Sequence, residues 1–477
     1  MTTRDQQSFS ECRFGFGKRL RFFAVLVAVA VVSLLIPATI SSKPMSHGSG
    51  GVGATPLRSL VESGYADLGL PGISVEVVGR SGVVDSVALG ELTADSTVLL
   101  GSTSKSITAI ALMQAAEGGA LSLDDPVSKW LPELNVPDDV TVQDLAHHRS
   151  GLTTDSTRGH LRFSDDRQFR YANENYNLLS QVIETATGVP YSHQLAEQVF
   201  TPLGLKHSFV VGEGRDSEIV QGHVGVLGNF VPTKLADYGP DSWIQAASGA
   251  TCSSATDSGT ILRMLLNQGE LDGTRILSPE SVQTILTDTV PTDGSPAVDG
   301  PLDPEGGYGF GWIHKNLDGE DVFVHVGKVP THTTVFALIP DRGIGITLMV
   351  NAGDFLVTTP LIEDLADSVI RQILDKPFEP PKPGINTFRQ VVLDCSYLGI
   401  VALGLAGWFV HSKRAGKAGF FAYHVLLPLI LIIAIRQASG TPFIWLWHFA
   451  PDASTALGIS AANIIASGTW KALRRSE

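Results

Sequence analysis

The stretch Gly101-Ser-Thr-Ser-Lys-Ser-Ile-Thr-Ala-Ile-Ala-Leu-Met113 predicts the start of a helix. Serine and threonine are favoured at a helix N-terminus, and the apolar residues from Ile107 onward supply a face that can be buried. Gly118-Gly119 predicts the end of this helix. On such a helix Ser102 and Lys105 lie three positions apart and share one face, with Cβ atoms about 5–6 Å apart.

This spacing fits nucleophilic catalysis. A serine hydroxyl needs a base to become a good nucleophile, and a lysine amine can serve if burial lowers its pKa. The N–H groups at a helix N-terminus favour a developing oxyanion. A Ser-x-x-Lys pattern by itself fits equally well a capping serine followed by an ordinary surface lysine, so both interpretations stay open at this point.

The segments on either side of this helix predict an α+β fold. Apolar and β-branched residues with partial alternation predict strands near both ends, at residues 73–78, 83–88, 322–326, 333–338 and 344–350. The middle is mostly helical in pattern, as in Leu179, Val182, Ile183 and Ala186, with Asn173 as a plausible N-cap and Gly188 as a stop. We therefore expect strands from both ends to share one antiparallel sheet, with helices inserted between them.

Three motifs in order carry a family resemblance: Ser102-Thr-Ser-Lys105, Tyr171-Ala-Asn173 and His325-Val-Gly327. With them, residues 57–350 resemble the β-lactamase-related serine hydrolases, the family of class C β-lactamases, serine DD-peptidases and related esterases. The resemblance implies a β-lactamase/DD-peptidase-like α+β fold, in which an antiparallel sheet is flanked by helices and a helical subdomain is added.

The resemblance also implies catalytic roles. Ser102 would attack a carbonyl and become acylated, and Lys105 would accept its proton or tune the base. Tyr171 would shuttle protons if nearby cations lower its pKa from about 10. Asn173 would hold the substrate amide and orient Lys105. A tyrosine before a helix is, however, more often a packing residue.

Substrate binding is implied at the third motif. His325 and Gly327 would lie on a strand that edges the cleft, and the backbone N–H groups of Ser102 and Lys328 would form the oxyanion hole. His325 stands where many members have lysine, which weakens a β-lactamase assignment, and a histidine before a glycine is often structural. Ala247-Ser248-Gly249 stands where two glycines are common, so the cleft wall is altered.

No metal or other cofactor is predicted. His147-His148 could suggest a metal, but no further ligand follows at a suitable spacing. The resemblance implies instead that His148 is structural and braces the turn before Gly151.

Charge and hydropathy indicate a membrane protein. Of the 477 residues 43% are hydrophobic, and the net charge of −14 argues against nucleic acid as a partner. Residues 22–390 hold 22 basic and 43 acidic residues, whereas both flanking ends are mildly basic. The uncharged run 22–40 follows a basic stretch, and three further apolar runs lie at about 391–410, 418–435 and 453–470. Cys252 is alone between the membrane segments, so no disulfide is expected there.

The sequence thus predicts a cell-membrane protein whose catalytic domain lies outside the cytoplasm. The predicted segments are a cytoplasmic basic tail (1–21), a signal peptide or transmembrane anchor (22–40), a linker (41–56), the hydrolase domain (57–376), a Pro-rich linker (377–390), three transmembrane helices (391–470) and a cytoplasmic tail (471–477).

Three hypotheses for function follow. The first is a membrane-tethered serine hydrolase that forms an acyl-enzyme on a small-molecule or peptide substrate: a D-amino-acid peptide, a small ester or a β-lactam. The second is a catalytically idle relative that serves as a sensor or binding module. The third, a transporter, finds little support because the apolar runs hold few charged residues, with Asp394 in the first C-terminal run and Arg436 at the end of the second. The sequence predicts no oligomeric state.

Overall fold

The computed structural model describes residues 57–154, 156, 159–226, 229–233, 245–292, 307–354, 357–379, 385–406, 408 and 451–473. The chain divides into two compact units. The main unit comprises residues 51–225 and 229–386, and the second unit comprises residues 1–50, 226–228 and 387–477. The predicted tail, anchor and linker at 1–56 lie outside the described residues.

The strands are short except where they build the central sheet. Those described are β1 (Gly72–Gly79), β2 (Gly82–Gly90), β3 (Val98–Leu99), β4 (Phe209–Val210), β5 (Gly222–Val226), β6 (Asn229–Thr233), β7 (Thr251–Ser253), β8 (Glu270–Leu271), β9 (Thr274–Arg275), β10 (Val290–Pro291), β11 (Gly307–Tyr308), β12 (Ile313–Leu317), β13 (Glu320–Val329), β14 (His332–Ile339), β15 (Ile344–Val350) and β16 (Ala352–Gly353).

The helices lie mainly between β2 and β10 and at the C-terminal end. They are α1 (Leu57–Leu68), α2 (Ser104–Glu117), α3 (Val127–Trp130), α4 (Val142–Ala146), α5 (Asn173–Thr187), α6 (Tyr191–Leu195), α7 (Ala255–Leu266), α8 (Pro279–Thr287), α9 (Thr358–Ile373), α10 (Ile385–Ala406) and α11 (Pro451–Leu473). Short 3-10 turns cover Gly101–Thr103, Pro132–Leu134, Asp216–Glu218 and Pro340–Arg342, and a π turn covers Ala196–Phe200.

The main sheet joins the two ends of the main unit, as the sequence predicted. Its order is β10-β11-β12-β13-β14-β15-β1-β2, and its paired strands are antiparallel. The register places Ile73 of β1 opposite Val350 of β15, so residues almost 280 positions apart are neighbours. All five predicted strands are present in this sheet, and the α+β fold is confirmed.

Helices cover both faces of this sheet. On one face α7 packs on β1 and β15, and the approach is close because a Cβ added to Gly345 would lie 2.9 Å from the Cβ of Leu262. On the other face α9 packs against α1 and β14. An added Cβ on Gly64 of α1 would lie 2.6 Å from a methyl carbon of Leu365. The central strands β1, β14 and β15 are therefore buried on both sides, with the helical insertion on the α7 face.

Two helices begin slightly differently from the prediction. The helix predicted from residue 101 opens as the 3-10 turn Gly101–Thr103 and becomes α-helical at Ser104. Asn173 was expected to cap α5, but Ala172 is the N-cap and Asn173 is the first helical residue. Gly188 does end α5, in the left-handed conformation with φ 70°, which glycine adopts without a steric penalty.

The second unit is described by α10 and α11. These helices approach closely, since a Cβ on Gly404 would lie 2.5 Å from the Cα of Ser460. No helix in the described part of the chain has both the length and the apolar character that crossing a bilayer requires. The spans predicted at 391–410 and 453–470 therefore gain no support from α10 and α11, and those at 22–40 and 418–435 lie outside the described residues.

Candidate active site

Ser102 and Lys105 meet as their spacing predicted. Ser102 lies in the 3-10 turn before α2 and is half-buried, so its hydroxyl can be reached from solvent. The Nζ of Lys105 lies 3.0 Å from the Oγ of Ser102. Lys105 itself is 0% exposed. The serine therefore lies at the surface of the site, with the amine directly beneath it.

Two carbonyl oxygens hold the amine in place. The Nζ of Lys105 donates to the Oδ1 of Asn173 at 2.8 Å and to the backbone carbonyl of Ser248 at 2.7 Å. Both oxygens can only accept a hydrogen bond. A neutral amine has two hydrogens and one lone pair. When two hydrogens are used by Asn173 and Ser248, the lone pair is left facing Ser102.

Electrostatics favour that neutral form. Burial lowers the pKa of Lys105 well below its usual range, because water can no longer stabilise the ammonium ion. No carboxylate forms an ion pair with Lys105 in the part of the chain that the structure describes. A buried amine without a counter-charge is suited to accept a proton from the serine hydroxyl.

Tyr171 lies beside the same pair of residues. The Nζ of Lys105 is 4.9 Å from the centroid of its ring, and the phenol hydrogen-bonds to the side chain of Ser102. The resemblance implied proton shuttling on condition that nearby cations lower the pKa of Tyr171. That condition is not met, because burial raises its pKa and outweighs the hydrogen bond from Ser102. The phenol therefore keeps its proton and can act as a donor.

The turn that carries Tyr171 and Asn173 is fixed by His148. The Nδ1 of His148 accepts from the backbone N–H of Ala172 at 3.3 Å and from the Nδ2 of Asn175 at 3.0 Å. Its ring lies 4.4 Å from that of Tyr171, centroid to centroid. These contacts hold the turn that places the phenol beside Ser102, which is a different turn from the one before Gly151 that the resemblance implied for this histidine.

The backbone conformation and the protonation state of His148 are both unusual. Its backbone is left-handed, with φ 56°, which is rare for a residue other than glycine. Its Nδ1 accepts two hydrogen bonds, so the proton lies on Nε2, which is buried without a partner among the described residues. Burial lowers the pKa of this imidazole well below its usual range. The ring is therefore neutral.

His325 lies behind the catalytic pair. It is 2% exposed, and the hydroxyl of Tyr308 lies 3.3 Å from its Nε2. Its Nδ1 lies 3.1 Å from the carbonyl oxygen of Val326 and can only donate there. Nε2 is then the acceptor for Tyr308. Burial and the nearby Lys105 lower the pKa of His325 to about 3, so the lysine usual in the family is replaced by a neutral side chain.

The predicted oxyanion donors lie close together. An added Cβ on Gly101 would lie 2.7 Å from the backbone nitrogen of Lys328. An added Cβ on Gly327 would overlap the carbonyl oxygen of Leu100. Only glycines allow this approach of β13 to the nucleophile turn. The backbone of Lys328 is thereby brought beside Ser102, where the two N–H groups can face one carbonyl oxygen.

Three contributors to this geometry were not predicted. The carbonyl of Ser248 orients Lys105, and the Oγ1 of Thr334 donates to the carbonyl of Leu100 at 2.6 Å. The hydroxyl of Tyr308 contacts His325. A backbone carbonyl leaves no trace in residue type, so the Ser248 contact could not be read from the sequence. The sequence around Tyr308 indicates no more than a cleft wall.

Comparisons with known proteins identify the family of this chain. The model of the family described as Beta-lactamase matches residues 57–366. Penicillin-binding protein 4 of Amycolatopsis lactamdurans is 29% identical over 335 residues, which cover 63% of this chain and 84% of that protein. The chain spans about a third of the length of two further curated relatives that it matches.

Solved structures show the same fold. An octameric penicillin-binding protein homologue from Pyrococcus abyssi has a TM-score of 0.58 and 24% identity, over 73% of this chain and 81% of that one. A D-stereospecific amidohydrolase from a Streptomyces species has a TM-score of 0.53 and 24% identity, over 65% of this chain and 98% of that one. At 24% sequence identity these two comparisons show a shared fold and nothing more specific.

Proposed function

Because the chain belongs to the Beta-lactamase family, we propose that it is a serine hydrolase that forms an acyl-enzyme at Ser102 on an amide or ester. One observation carries the proposal. A fully buried lysine amine lies 3.0 Å from the hydroxyl of Ser102, which solvent can reach, and is held there by two carbonyl oxygens. A capping serine and a surface lysine would not need this arrangement.

Acylation follows from the geometry. The Oγ of Ser102 transfers its proton to the lone pair of Lys105 and bonds to the carbonyl carbon of the substrate. The carbonyl oxygen becomes an oxyanion, which accepts hydrogen bonds from the backbone N–H groups of Ser102 and Lys328. Each such donor is worth about 3–4 kcal/mol in the transition state.

The leaving group then needs a proton. The phenol of Tyr171 keeps its proton, lies over the catalytic pair and can pass it to the departing nitrogen or oxygen. The Lys105 ammonium ion can in turn reprotonate the phenol, so the proton taken from Ser102 ends on the leaving group. In deacylation a water molecule gives a proton to Lys105 and bonds to the acyl carbon. The bond between that carbon and the Oγ of Ser102 then breaks, and the Oγ takes the proton from Lys105, which restores the starting state.

The substrate candidates are a D-amino-acid peptide, a small ester and a β-lactam. The Amycolatopsis relative is a penicillin-binding protein by name, which supports penicillin-type ligands. The Streptomyces structure is that of a D-stereospecific amidohydrolase, which supports amides of D-configured acids. All three classes present a carbonyl that fits between the two backbone N–H groups.

Replacement of Ser102 tests the proposal. Ser102→Ala removes the nucleophile, so we expect hydrolysis of an activated ester to fall at least about 10³-fold and labelling by a fluorophosphonate probe to disappear. Ser180→Ala is the matched control, because the Ser180 hydroxyl bonds only within its own helix, to the carbonyl of Asn177. Full activity or labelling in Ser102→Ala would contradict the proposal. Ligand binding without turnover in the wild-type protein would favour the binding-module hypothesis.

We further propose that the domain acts outside the cytoplasm while tethered to the cell membrane. The support comes from the sequence, in which the uncharged run 22–40 follows Lys18, Arg19 and Arg21. Fractionation of cells that express the full chain should recover it with the membranes, and added protease should cleave residues 57–376 in intact spheroplasts. Recovery in the soluble cytoplasmic fraction would contradict the proposal.

A further inference from the structure

Strand β13 lies beside the nucleophile turn, and a bound substrate would contact one of its edges. Pairing between β12 and β13 ends at Ile313 opposite Val324. Residues 325–329 of β13, the 325–329 edge, thus have no partner strand on that side in the chain segments described. The backbone nitrogen of Lys328 lies beside the nucleophile turn. A carbonyl held by the oxyanion donors therefore lies against this edge, roughly in the plane of the sheet, where the groups attached to it are flanked by edge side chains from both faces.

Side chains alternate between the two faces of a strand. Gly327 faces the nucleophile turn, where an added Cβ would meet Leu100. Val326 and Lys328 therefore point to the other face, on which α9 packs. There the Nζ of Lys328 lies 2.5 Å from the Oε1 of Glu363, with side-chain exposures of 31% and 7%. The positive charge on the side chain of Lys328 is thus paired with a carboxylate.

This pairing changes what the edge can bind. A substrate carboxylate that approached Lys328 would be attracted by the ammonium ion and repelled by the carboxylate of Glu363, so the two effects would largely cancel. The other side chains of the edge offer no replacement charge. Val326 is apolar, and the imidazole of His325 is buried, donates to the carbonyl of Val326 and is neutral.

We propose that the Lys328–Glu363 pair makes this enzyme select substrates without a carboxylate next to the scissile carbonyl, namely neutral esters and amides. This inference rests on the proposed hydrolase function of Ser102. It narrows the substrate candidates, because peptides that end in a free carboxylate and β-lactams with a ring carboxylate both bring an anion to this edge. Neutral acyl esters and primary amides do not.

Two esters that differ in one group test the inference. Both are aryl esters of N-acetyl-D-alanine, one with a meta-carboxylate and the other with a meta-carboxamide on the phenol leaving group. With the full-length protein we expect kcat/KM to be about fivefold higher for the carboxamide ester, after correction for spontaneous hydrolysis. Equal values, or a preference for the carboxylate ester, would overturn the inference and leave the proposed function intact. Failure to hydrolyse either ester would overturn both.

Two variants separate charge from structure. Glu363→Gln removes the negative charge that pairs with Lys328, so the preference should shift by about fivefold toward the carboxylate ester. Lys328→Met keeps the backbone N–H but leaves Glu363 alone, so the preference should shift the other way. A loss of packing would lower both rates together and leave their ratio unchanged, which would contradict the inference. Asp364→Asn removes an exposed charge one position away and should leave the ratio as in the wild type.

Discussion

The nucleophile turn and the 325–329 edge each place a lysine near the same substrate carbonyl, yet the two lysines are in opposite situations. Lys105 is fully buried, and the three oxygens that its amine contacts, those of Ser102, Asn173 and Ser248, are neutral. Lys328 is partly exposed and lies 2.5 Å from the carboxylate of Glu363. Both lysines belong to the main unit, and burial lowers the pKa of Lys105.

The difference shows that the counter-charge decides what a lysine can do. Burial without a carboxylate destabilises the ammonium ion, which makes the amine of Lys105 a base. Lys328 instead forms an ion pair with the carboxylate of Glu363, which suits it to hold a strand edge and to neutralise the local field. Substitutions of Lys105, Lys328 and Gly327 test whether the two lysines have these different roles.

Removal of the buried amine should have the largest effect. Lys105→Met leaves Ser102 without its base, so we expect the acylation rate to fall by about 10²–10⁴-fold. Stopped-flow measurement of product release from an activated ester checks this. Lys129→Met is the control, since Lys129 is exposed and pairs with Asp125 on the surface. A Lys105→Met enzyme within tenfold of the wild type would show that the amine is not the base.

A methyl group at Gly327 should act on the edge without touching either lysine side chain. The Cβ of Gly327→Ala would overlap the carbonyl oxygen of Leu100, so β13 must move and the Lys328 N–H leaves its position. Loss of one oxyanion donor should lower kcat by about 10²-fold.

Steady-state kinetics and the affinity of a boronic acid inhibitor measure that change together. Gly159→Ala is the matched control, because no atom lies within 4 Å of an added Cβ there. Unchanged kcat and inhibitor affinity in Gly327→Ala would mean that the edge does not contribute an oxyanion donor.

The smallest expected effect of replacing Lys105 is on the pH dependence of the free energy of unfolding. This dependence tests the lowered pKa of Lys105 directly. The folded pKa of Lys105 lies well below the value of 10.5 for free lysine. Between these two values the unfolded chain binds one more proton than the folded chain, so the free energy of unfolding rises with pH. Relative to Lys105→Met, the wild type should gain up to about 1.4 kcal/mol per pH unit in this window.

Urea denaturation at several pH values between 6 and 9 would measure this difference. Parallel stability curves for the wild type and Lys105→Met would contradict a lowered pKa for Lys105 over this range.

Local sequence patterns predicted the elements that carry the site. The 3.6-residue period placed Ser102 and Lys105 on one face, and the structure joins their side chains at 3.0 Å. Alternating apolar residues predicted the strands at both ends of the main unit, which pair in one sheet. These features depend on residues close in sequence, where helix and strand geometry fix the distances.

Contacts across the fold were harder to predict. Asn173 was expected to cap its helix, but its side chain turns to Lys105, 68 positions earlier, and Ala172 caps instead. The condition of a lowered pKa at Tyr171 was not met, because the degree of burial depends on how the helical insertion packs on the sheet. The partnership of Lys328 with Glu363 joins β13 to α9 and has no local signature.

The sequence by itself determined which groups are available: an alcohol and an amine one turn apart, a phenol before a helix and glycines where two backbones must approach. These follow from residue type and short-range geometry. The tertiary structure alone decided their state, because pKa depends on burial and on charges brought from distant positions. For that reason Lys105 is a neutral base candidate, Tyr171 a proton donor and Lys328 half of an ion pair.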